Sequence, residues 1–351
     1  MTSRIPFMVL ALLSLLTGLW TGLVRMGWYL PVTDAVAHHG GIMVGGFLGT
    51  LIILEKVIPL RRKILFGIPL LTAGAVVAFF FGEPFISMIL MIGGSVGAII
   101  LFALYLRIHF ERTMVLMLLG ACCWLVGNMM LLQTKFYPSA FPWWMGFLVF
   151  TITSERLELS KFLPISKKQY TLLFIFLTVF VMGLLIPFHS FGRIVSGVAL
   201  VGIAVWLLRF DMIRISIKKK ELTRFTAVAL LMGYVALLLT GVFLITLSNE
   251  LFAYDVIVHM FFIGFVFAMI FAHGPIILPG VLGISAKPYH PVLYLWLIVL
   301  QNSLILRIFS DVLFSPVWKK ISGLTTAAGI LLYFLTLVIL VVGQRKYSAS
   351  K

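Results

Sequence analysis

The chain has 351 residues, of which 62% are apolar and only 11% charged, and its mean hydropathy is +1.15. A soluble domain is about 45–50% apolar and about 25% charged, so a water-soluble globular protein and a disordered chain are both excluded. The formal net charge of +16 does not indicate a nucleic-acid partner, because the basic residues lie in short loops between apolar segments. The composition predicts an integral membrane protein surrounded by lipid.

Apolar runs of about 20 residues, each able to cross a hydrocarbon core of about 30 Å, occur twelve times along the chain. In order they cover 6–28, 33–57, 63–82, 85–107, 114–134, 140–160, 169–187, 190–209, 223–247, 254–274, 292–312 and 321–343. They do not alternate apolar with polar residues as the strands of a membrane β-barrel do. We therefore expect an all-α, polytopic protein of twelve transmembrane helices that forms a single domain over residues 1–351.

The distribution of basic residues predicts the orientation. With the N-terminus inside, only six of the 27 Lys and Arg residues fall on the outer side: Arg25, Lys135, Arg193, Arg307, Lys319 and Lys320. Basic residues concentrate in the cytoplasmic loops of membrane proteins. The chain is thus predicted to be an N-in, C-in, multi-pass protein of a bacterial-type inner membrane.

Ionisable side chains within the spans are costly and are candidates for function. Helix 2 enters from outside and carries His38 and His39, and helix 10 enters from outside and carries His259. Helix 11 carries Arg307 near its outer end. With a rise of about 1.5 Å per residue, these side chains share one layer of the outer leaflet.

Two histidines and an arginine at one depth fit a haem. Its iron binds two axial imidazoles, and its propionates pair with a cation. The small residues that a macrocycle needs beside it follow in Gly40 and Gly41, and again in Gly264. We expect iron ligands at His259 and at one of the two helix 2 histidines.

The same residues have simpler interpretations. A histidine in a span is often a hydrogen-bonded packing residue, and glycines mediate ordinary helix packing. Arg307 and Asp311 are spaced i, i+4 and could form an ion pair instead of a propionate contact. Periodicity does not distinguish His38 from His39, because they point about 100° apart on a helix.

Residues 37–43 read AHHGGIM and residues 259–269 read HMFFIGFVFAM. These segments resemble helices 2 and 10 of subunit I of the haem–copper oxidases, a twelve-helix fold whose low-spin haem is ligated by one histidine from each. The H-x-x-x-M spacing in helix 2 is met by His39 and Met43, which favours His39 as the ligand. Arg307 falls where that family carries arginines near the haem propionates.

The chain is more similar still to the NnrS family of haem- and copper-associated membrane proteins linked to nitric oxide. It shares their twelve spans, a histidine-rich start to helix 2, and a helix 10 with one histidine near each end, here His259 and His273. The resemblance implies an oxidase-like bundle holding a haem b. It also implies a role in nitric oxide response or metabolism, or in electron transfer linked to quinol or a redox partner protein.

Departures from the oxidases limit this resemblance. The oxidases take copper ligands from helices 6 and 7, and spans 6 and 7 of this chain contain no histidine. Helix 10 has a single histidine at its outer end. Bound copper is therefore not supported, no catalytic residue can be assigned, and whether the protein is an enzyme stays open.

A second site could lie in the inner leaflet. His273 lies on nearly the same face as His259, roughly 21 Å further along the helix, a spacing that lets one helix hold two haems. The matching position on helix 2 is Ile53, so a partner would have to be His109 or His290. The alternative is that His273 hydrogen-bonds backbone carbonyls where helix 10 ends.

A cofactor-free secondary transporter or channel is the competing function, with Asn128 and Gln301 lining a pathway. The simpler interpretation of these two residues is pairing between helices. The absence of internal repeats and the scarcity of carboxylates within the spans argue against a transporter. Arg156, at the inner end of helix 6, is expected to extend to the membrane interface.

Overall fold

The computed structural model of the chain describes residues 5–247, 250–282 and 287–349. The ends of the predicted domain, residues 1–4 and 350–351, lie outside the described residues. All regular structure in the described part is helical, which confirms the all-α prediction. The described residues form two compact units that divide between Ser154 and Glu155, and Val281 and Leu282 belong with the first.

Long helices follow the predicted spans throughout the described residues. In chain order they are α1 (Ile5–Arg25), α2 (Asp34–Leu60), α3 (Lys63–Phe80), α4 (Pro84–Ile108), α5 (Arg112–Thr134), α6 (Tyr137–Leu159), α7 (Lys167–Leu185), α8 (Phe188–Phe210), α9 (Glu221–Thr246), α10 (Ala253–Leu282), α11 (Val292–Val312) and α12 (Pro316–Ala349). Eleven of these helices are long and apolar enough to cross a membrane. The exception is α6.

The sixth predicted span, residues 140–160, is therefore not apolar enough to be counted as a membrane-spanning helix by its composition. The segment is helical over Tyr137–Leu159, but it contains Pro142, adjacent tryptophans and a charged end. Its side chains from Ala140 to Ser154 are buried, with the exception of Trp143. A helix covered by protein along most of its length has little contact with lipid, so it does not need a uniformly apolar surface.

Three of the described helices contain π-helical turns: α8 at its start, over Phe188–Gly192, and α2 and α10, where the turns come directly after a histidine identified above. In α2 these turns cover Ile42–Gly49 and follow His39, and in α10 they cover Met260–Phe267 and follow His259. π-helical turns widen the helix by one residue per turn and occur frequently at functional sites. The sequence pattern did not predict them, because the expected periodicity was that of a regular α-helix.

Helix α10 extends further than predicted. The predicted end at residue 274 is wrong, because the helix passes through Pro275 and Pro279 and continues to Leu282. Pro275 has no N–H to donate to the carbonyl of Phe271, four residues earlier. The hydroxyl of Tyr333 on α12 donates to that carbonyl instead, at 2.5 Å, so the freed acceptor keeps a partner and the helix continues.

In the second unit, α8 and α9 approach each other through a pair of glycines. A Cβ atom built on Gly241 would lie 2.6 Å from the carbonyl oxygen of Gly197, and one built on Gly197 would lie 2.7 Å from that of Gly241. Both obstacles are backbone atoms and cannot rotate away. The separation of the two helix axes therefore depends on the absence of a side chain at both positions.

Replacing Gly241 with alanine should lower the free energy of unfolding by about 1–3 kcal/mol, because the two helices must separate to admit a methyl group. Thermal or denaturant unfolding of the detergent-solubilised protein measures this loss. The matched control is Gly74→Ala in α3, where the new Cβ would meet only Leu90 Cδ1 at 3.7 Å. Equal stability of the Gly241→Ala variant and the control would contradict the prediction.

Candidate functional site

His39 of α2 faces α1. Its Nδ1 lies 2.9 Å from the carbonyl oxygen of Gly18 and 3.2 Å from the hydroxyl of Thr21, and its ring packs against Gly22, where a Cβ would lie 3.0 Å from Cε1. A carbonyl only accepts hydrogen bonds, so Nδ1 is assigned the ring proton. In that neutral tautomer the lone pair is on Nε2, the atom that a metal would bind.

His38 has a different environment. Its Nδ1 lies 3.0 Å from the hydroxyl of Tyr137, and its ring stacks on Phe79 with 4.6 Å between centroids. A hydroxyl can donate or accept, so this contact does not assign the tautomer. The local structure therefore separates the two neighbours where periodicity did not, since only His39 has a carbonyl that fixes Nδ1–H.

His259 of α10 is oriented from within its own helix. Its Nδ1 lies 2.8 Å from the backbone oxygen of Asp255 and 3.2 Å from the Oδ1 atom of the same residue. Both partners are acceptors, so Nδ1 carries the proton and Nε2 the lone pair. Within the described part of the chain, Nε2 of His259 has no hydrogen-bond partner.

Arg307 of α11 binds the same carboxylate. Its Nε and Nη2 atoms donate to Oδ2 and Oδ1 of Asp255 at 3.0 and 2.9 Å, which is a bidentate ion pair. Lys319 also reaches Asp255 at 3.3 Å and donates to Asp311 at 2.6 Å. The guanidinium that we expected beside a propionate thus holds a carboxylate of the chain itself.

Asp255 was not identified from the sequence as part of this site. The signal was present, because Asp255 lies four residues before His259 and side chains at that spacing are neighbours on a helix. A carboxylate that accepts from the distal ring nitrogen is the usual orienting partner of a ligating histidine. Arg307 is accordingly a positioning residue for Asp255 in this structure.

A second polar cluster is buried in the same unit. Arg156, at the end of α6, donates from Nε and Nη2 to the two carboxylate oxygens of Asp211, both at 2.8 Å. The two side chains are 4% and 0% exposed. The prediction that Arg156 extends to the interface is wrong, because Asp211 gives it an internal partner. Asp211 also accepts from the backbone N–H of Ile213 at 2.9 Å.

His273 of α10 contacts this ion pair. Its Nδ1 lies 2.8 Å from the carbonyl oxygen of Met269, and its Nε2 lies 3.3 Å from Nη1 of Arg156. A guanidinium only donates, so Nε2 accepts and the imidazole is the neutral Nδ1–H tautomer. His273 therefore does bond to a backbone carbonyl, but it does so within a continuing helix and not at the helix end where we expected it. Both ring nitrogens are engaged, which leaves neither for an iron in this arrangement.

The other two histidines of the predicted second site are exposed. Nε2 of His109, in the first unit, lies 3.4 Å from Glu111, and Nδ1 of His290, in the second unit, accepts from the N–H of Val292 at 3.2 Å. Across the described residues, no three His, Cys, Asp or Glu side chains form a group that could hold a metal ion.

The polar residues considered for a transport pathway are used in helix packing. Asn128 donates to the carbonyl of Met91 at 3.1 Å and accepts from Nε1 of Trp144 at 3.0 Å. Gln301 of α11 donates to the carbonyl of Gly264 on α10 at 3.4 Å. These contacts confirm the interpretation of Asn128 and Gln301 as residues that pair between helices.

The sequence profile of a family described as a domain of unknown function (DUF8744) matches residues 4–342. No curated protein matches the chain, and no solved structure matches it. The family carries no assigned activity, so the resemblance to NnrS proteins and to the haem–copper oxidases stays a prediction.

Proposed function

We propose that this chain, which belongs to the family of unknown function DUF8744, is a haem-binding integral membrane protein with imidazole ligands. His39 and His259 are the residues that would bind iron, each through Nε2. When bound, haem supplies one-electron chemistry or a site for a diatomic gas such as nitric oxide. The chain's own contribution is to hold and orient the two rings.

One observation carries the proposal. A backbone carbonyl holds Nδ1 of His39 in the first unit, that of Gly18, and Nδ1 of His259 in the second unit, that of Asp255. Nδ1 of His273 is held in the same way by Met269, but its Nε2 is already engaged by Arg156. Metal-ligating histidines almost always donate their other ring N–H to such a carbonyl or to a carboxylate, which fixes the tautomer and the ring orientation. The donor set present therefore fits what a haem iron requires.

Two further features support the same residues. π-helical turns follow both histidines, over Ile42–Gly49 and Met260–Phe267, and such turns are frequent at functional sites. The Asp255 carboxylate, fixed by Arg307, lies against the His259 ring. A carboxylate at this position makes the imidazole more electron-rich and thus a stronger ligand.

The finer topology belongs to the same proposal. We propose that α6 crosses the membrane together with the eleven more apolar helices, which gives twelve spans with both termini inside. The bundle would be oxidase-like, of the NnrS type, and would lie in a bacterial inner membrane. The bias in Lys and Arg placement supports this orientation. The haem would then lie in the outer leaflet, with quinol or a redox protein as electron partner, and the sequence gives no support for copper.

A dithionite-reduced-minus-oxidised spectrum of the purified protein tests the proposal. After expression with ample haem supply, we expect sharp α and Soret bands, and a pyridine haemochrome assay should give about one haem per chain, because His39 and His259 together would hold a single iron. A featureless spectrum would contradict the proposal and favour the cofactor-free transporter.

A further inference from the structure

A cavity of about 480 Å³ lies in the second unit, where α9 and α11 begin. Its volume is within the range of small-ligand sites, about 300–1,000 Å³. Among the described residues, the side chains that line it are Lys220, Glu221, Arg224, Val228, Tyr289 and Tyr294. None of these residues belongs to the candidate iron site or to the buried ion pair described above, so the cavity has no role yet.

The wall that α9 contributes changes from charged to apolar along the helix. Lys220 immediately precedes the helix, Arg224 lies four residues later, and Val228 lies four residues after that. Residues at this spacing share one face of a helix, and the row is about 12 Å long at a rise of about 1.5 Å per residue. Because α9 is long and apolar enough to cross a membrane, the charged end of the row lies at the membrane boundary and the apolar end lies within the span.

The charges on the wall favour a singly charged anion. Two cations, Lys220 and Arg224, and one carboxylate, Glu221, leave a net charge of +1, two minus one. Within the described residues, neither cation forms an ion pair or donates a side-chain hydrogen bond. A phosphodiester carries one negative charge, whereas a phosphate monoester carries about −1.5 to −2 at pH 7. The diester fits better, because a monoester would place uncompensated negative charge beside Glu221.

The side chains around the cavity supply the donors that a phosphodiester needs. The guanidinium of Arg224 has a planar fork of N–H groups that matches phosphate oxygens, and Lys220 binds them as a point charge. Tyr294 is half-buried, and its ring packs edge-on against Phe225 of α9 with 5.2 Å between centroids. Tyrosines are enriched at the boundary between membrane and water. Glu221 can accept a hydrogen bond from a hydroxyl group elsewhere on the ligand.

We propose that this cavity binds the headgroup of an anionic phospholipid. Lys220 and Arg224 hold the phosphodiester, and the acyl chains lie along the apolar surface of α9 beyond Val228. Basic pockets between transmembrane helices bind anionic headgroups in this way. A water-soluble phosphodiester has the same charge but no apolar part for the Val228 end of the row. Haem binding is not required, because none of these residues is assigned to iron.

Native mass spectrometry of the full chain, released from detergent with an equimolar mixture of phosphatidylglycerol and phosphatidylcholine, tests the site. The unmodified protein should retain phosphatidylglycerol selectively. In the double variant Lys220→Gln, Arg224→Gln we expect this binding to weaken about tenfold, because both charge-assisted contacts to the phosphate are lost. Undiminished binding in this variant would overturn the proposal.

The matched control is the double variant Lys218→Gln, Lys219→Gln. These two lysines are exposed neighbours in the same basic run but do not line the cavity, so the control removes the same charge from the same segment. A general attraction of the basic surface to anionic lipid would weaken equally in both double variants, and that equality would overturn a site in the cavity. All four replaced side chains are exposed, so both variants should fold.

Unfolding midpoints distinguish a lipid from a soluble ligand. A ligand that binds only the folded state raises the midpoint, so phosphatidylglycerol in mixed micelles should stabilise the unmodified protein and the control, but not Lys220→Gln, Arg224→Gln. Glycerophosphoglycerol, the same headgroup without acyl chains, should have little effect at matched concentration. An equal rise with this soluble diester would assign the cavity to a free phosphodiester and overturn the assignment to lipid.

Discussion

Replacing His259 with alanine is expected to abolish the Soret and α bands of the purified protein. The reason is that Nε2 of His259 carries the lone pair, while Nδ1 is held by the backbone of Asp255, and alanine offers iron no ligand in its place. Absorption spectroscopy at matched protein concentration, with haemochrome quantitation, measures the loss. His189→Ala is the control in the same unit, because His189 is exposed, and its spectrum should equal that of the unmodified protein.

The two adjacent histidines of α2 extend this test. His39→Ala should abolish the same bands, whereas His38→Ala should retain them, because only His39 has Nδ1 fixed by a carbonyl. An unchanged spectrum for His259→Ala or for His39→Ala would refute the corresponding ligand assignment. If His38→Ala loses the bands and His39→Ala keeps them, the iron ligand from α2 is His38, and the contact between Nδ1 of His39 and the carbonyl of Gly18 does not identify the ligand.

Replacing Asp211 with asparagine is expected to lower the free energy of unfolding by about 3–5 kcal/mol, the usual cost of removing one partner of a buried ion pair. The variant keeps the size and shape of the side chain but leaves the charge of Arg156 without compensation in a site that is almost inaccessible. Unfolding in mixed detergent micelles, followed by circular dichroism, measures the loss.

A double variant separates the effect of charge from that of position. Replacing Arg156 with methionine and Asp211 with leucine removes both charges, and such replacements of a whole buried pair are often neutral or stabilising. We therefore expect the double variant to recover most of the stability lost in Asp211→Asn. Stability of Asp211→Asn within about 0.5 kcal/mol of the unmodified protein, the range of ordinary surface substitutions, would contradict a structural role for the pair.

The positions of the long helices could be predicted from the sequence, because an apolar run of sufficient length is itself the physical requirement for a span. One error has a local cause: the predicted end of α10 treated Pro275 as a terminator, although Tyr333, far along the chain, replaces the missing donor. The sixth predicted span is helical, but α6 is largely covered by protein and is less apolar than the other eleven helices.

The candidate site could be predicted only in part. His39, His259 and Arg307 were identified because ionisable groups in apolar runs are few, and depth follows from the rise per residue. The residues that contact these side chains could not be identified from the sequence. Arg307 was considered with Asp311, four residues along the same helix, but its guanidinium binds Asp255 on a different helix.

By itself, the sequence determined that this protein is helical, that it is apolar enough for a membrane along nearly its whole length, and that few charged residues lie within the apolar segments. Those properties are sums over composition and spacing, so they need no knowledge of which helices are neighbours. Only the tertiary structure decided which charged side chains form ion pairs, including the buried pair of Arg156 and Asp211, and which nitrogen of each histidine carries the proton. Hydrogen bonds depend on distances of a few ångströms between residues far apart in the chain, and periodicity along one helix cannot specify them.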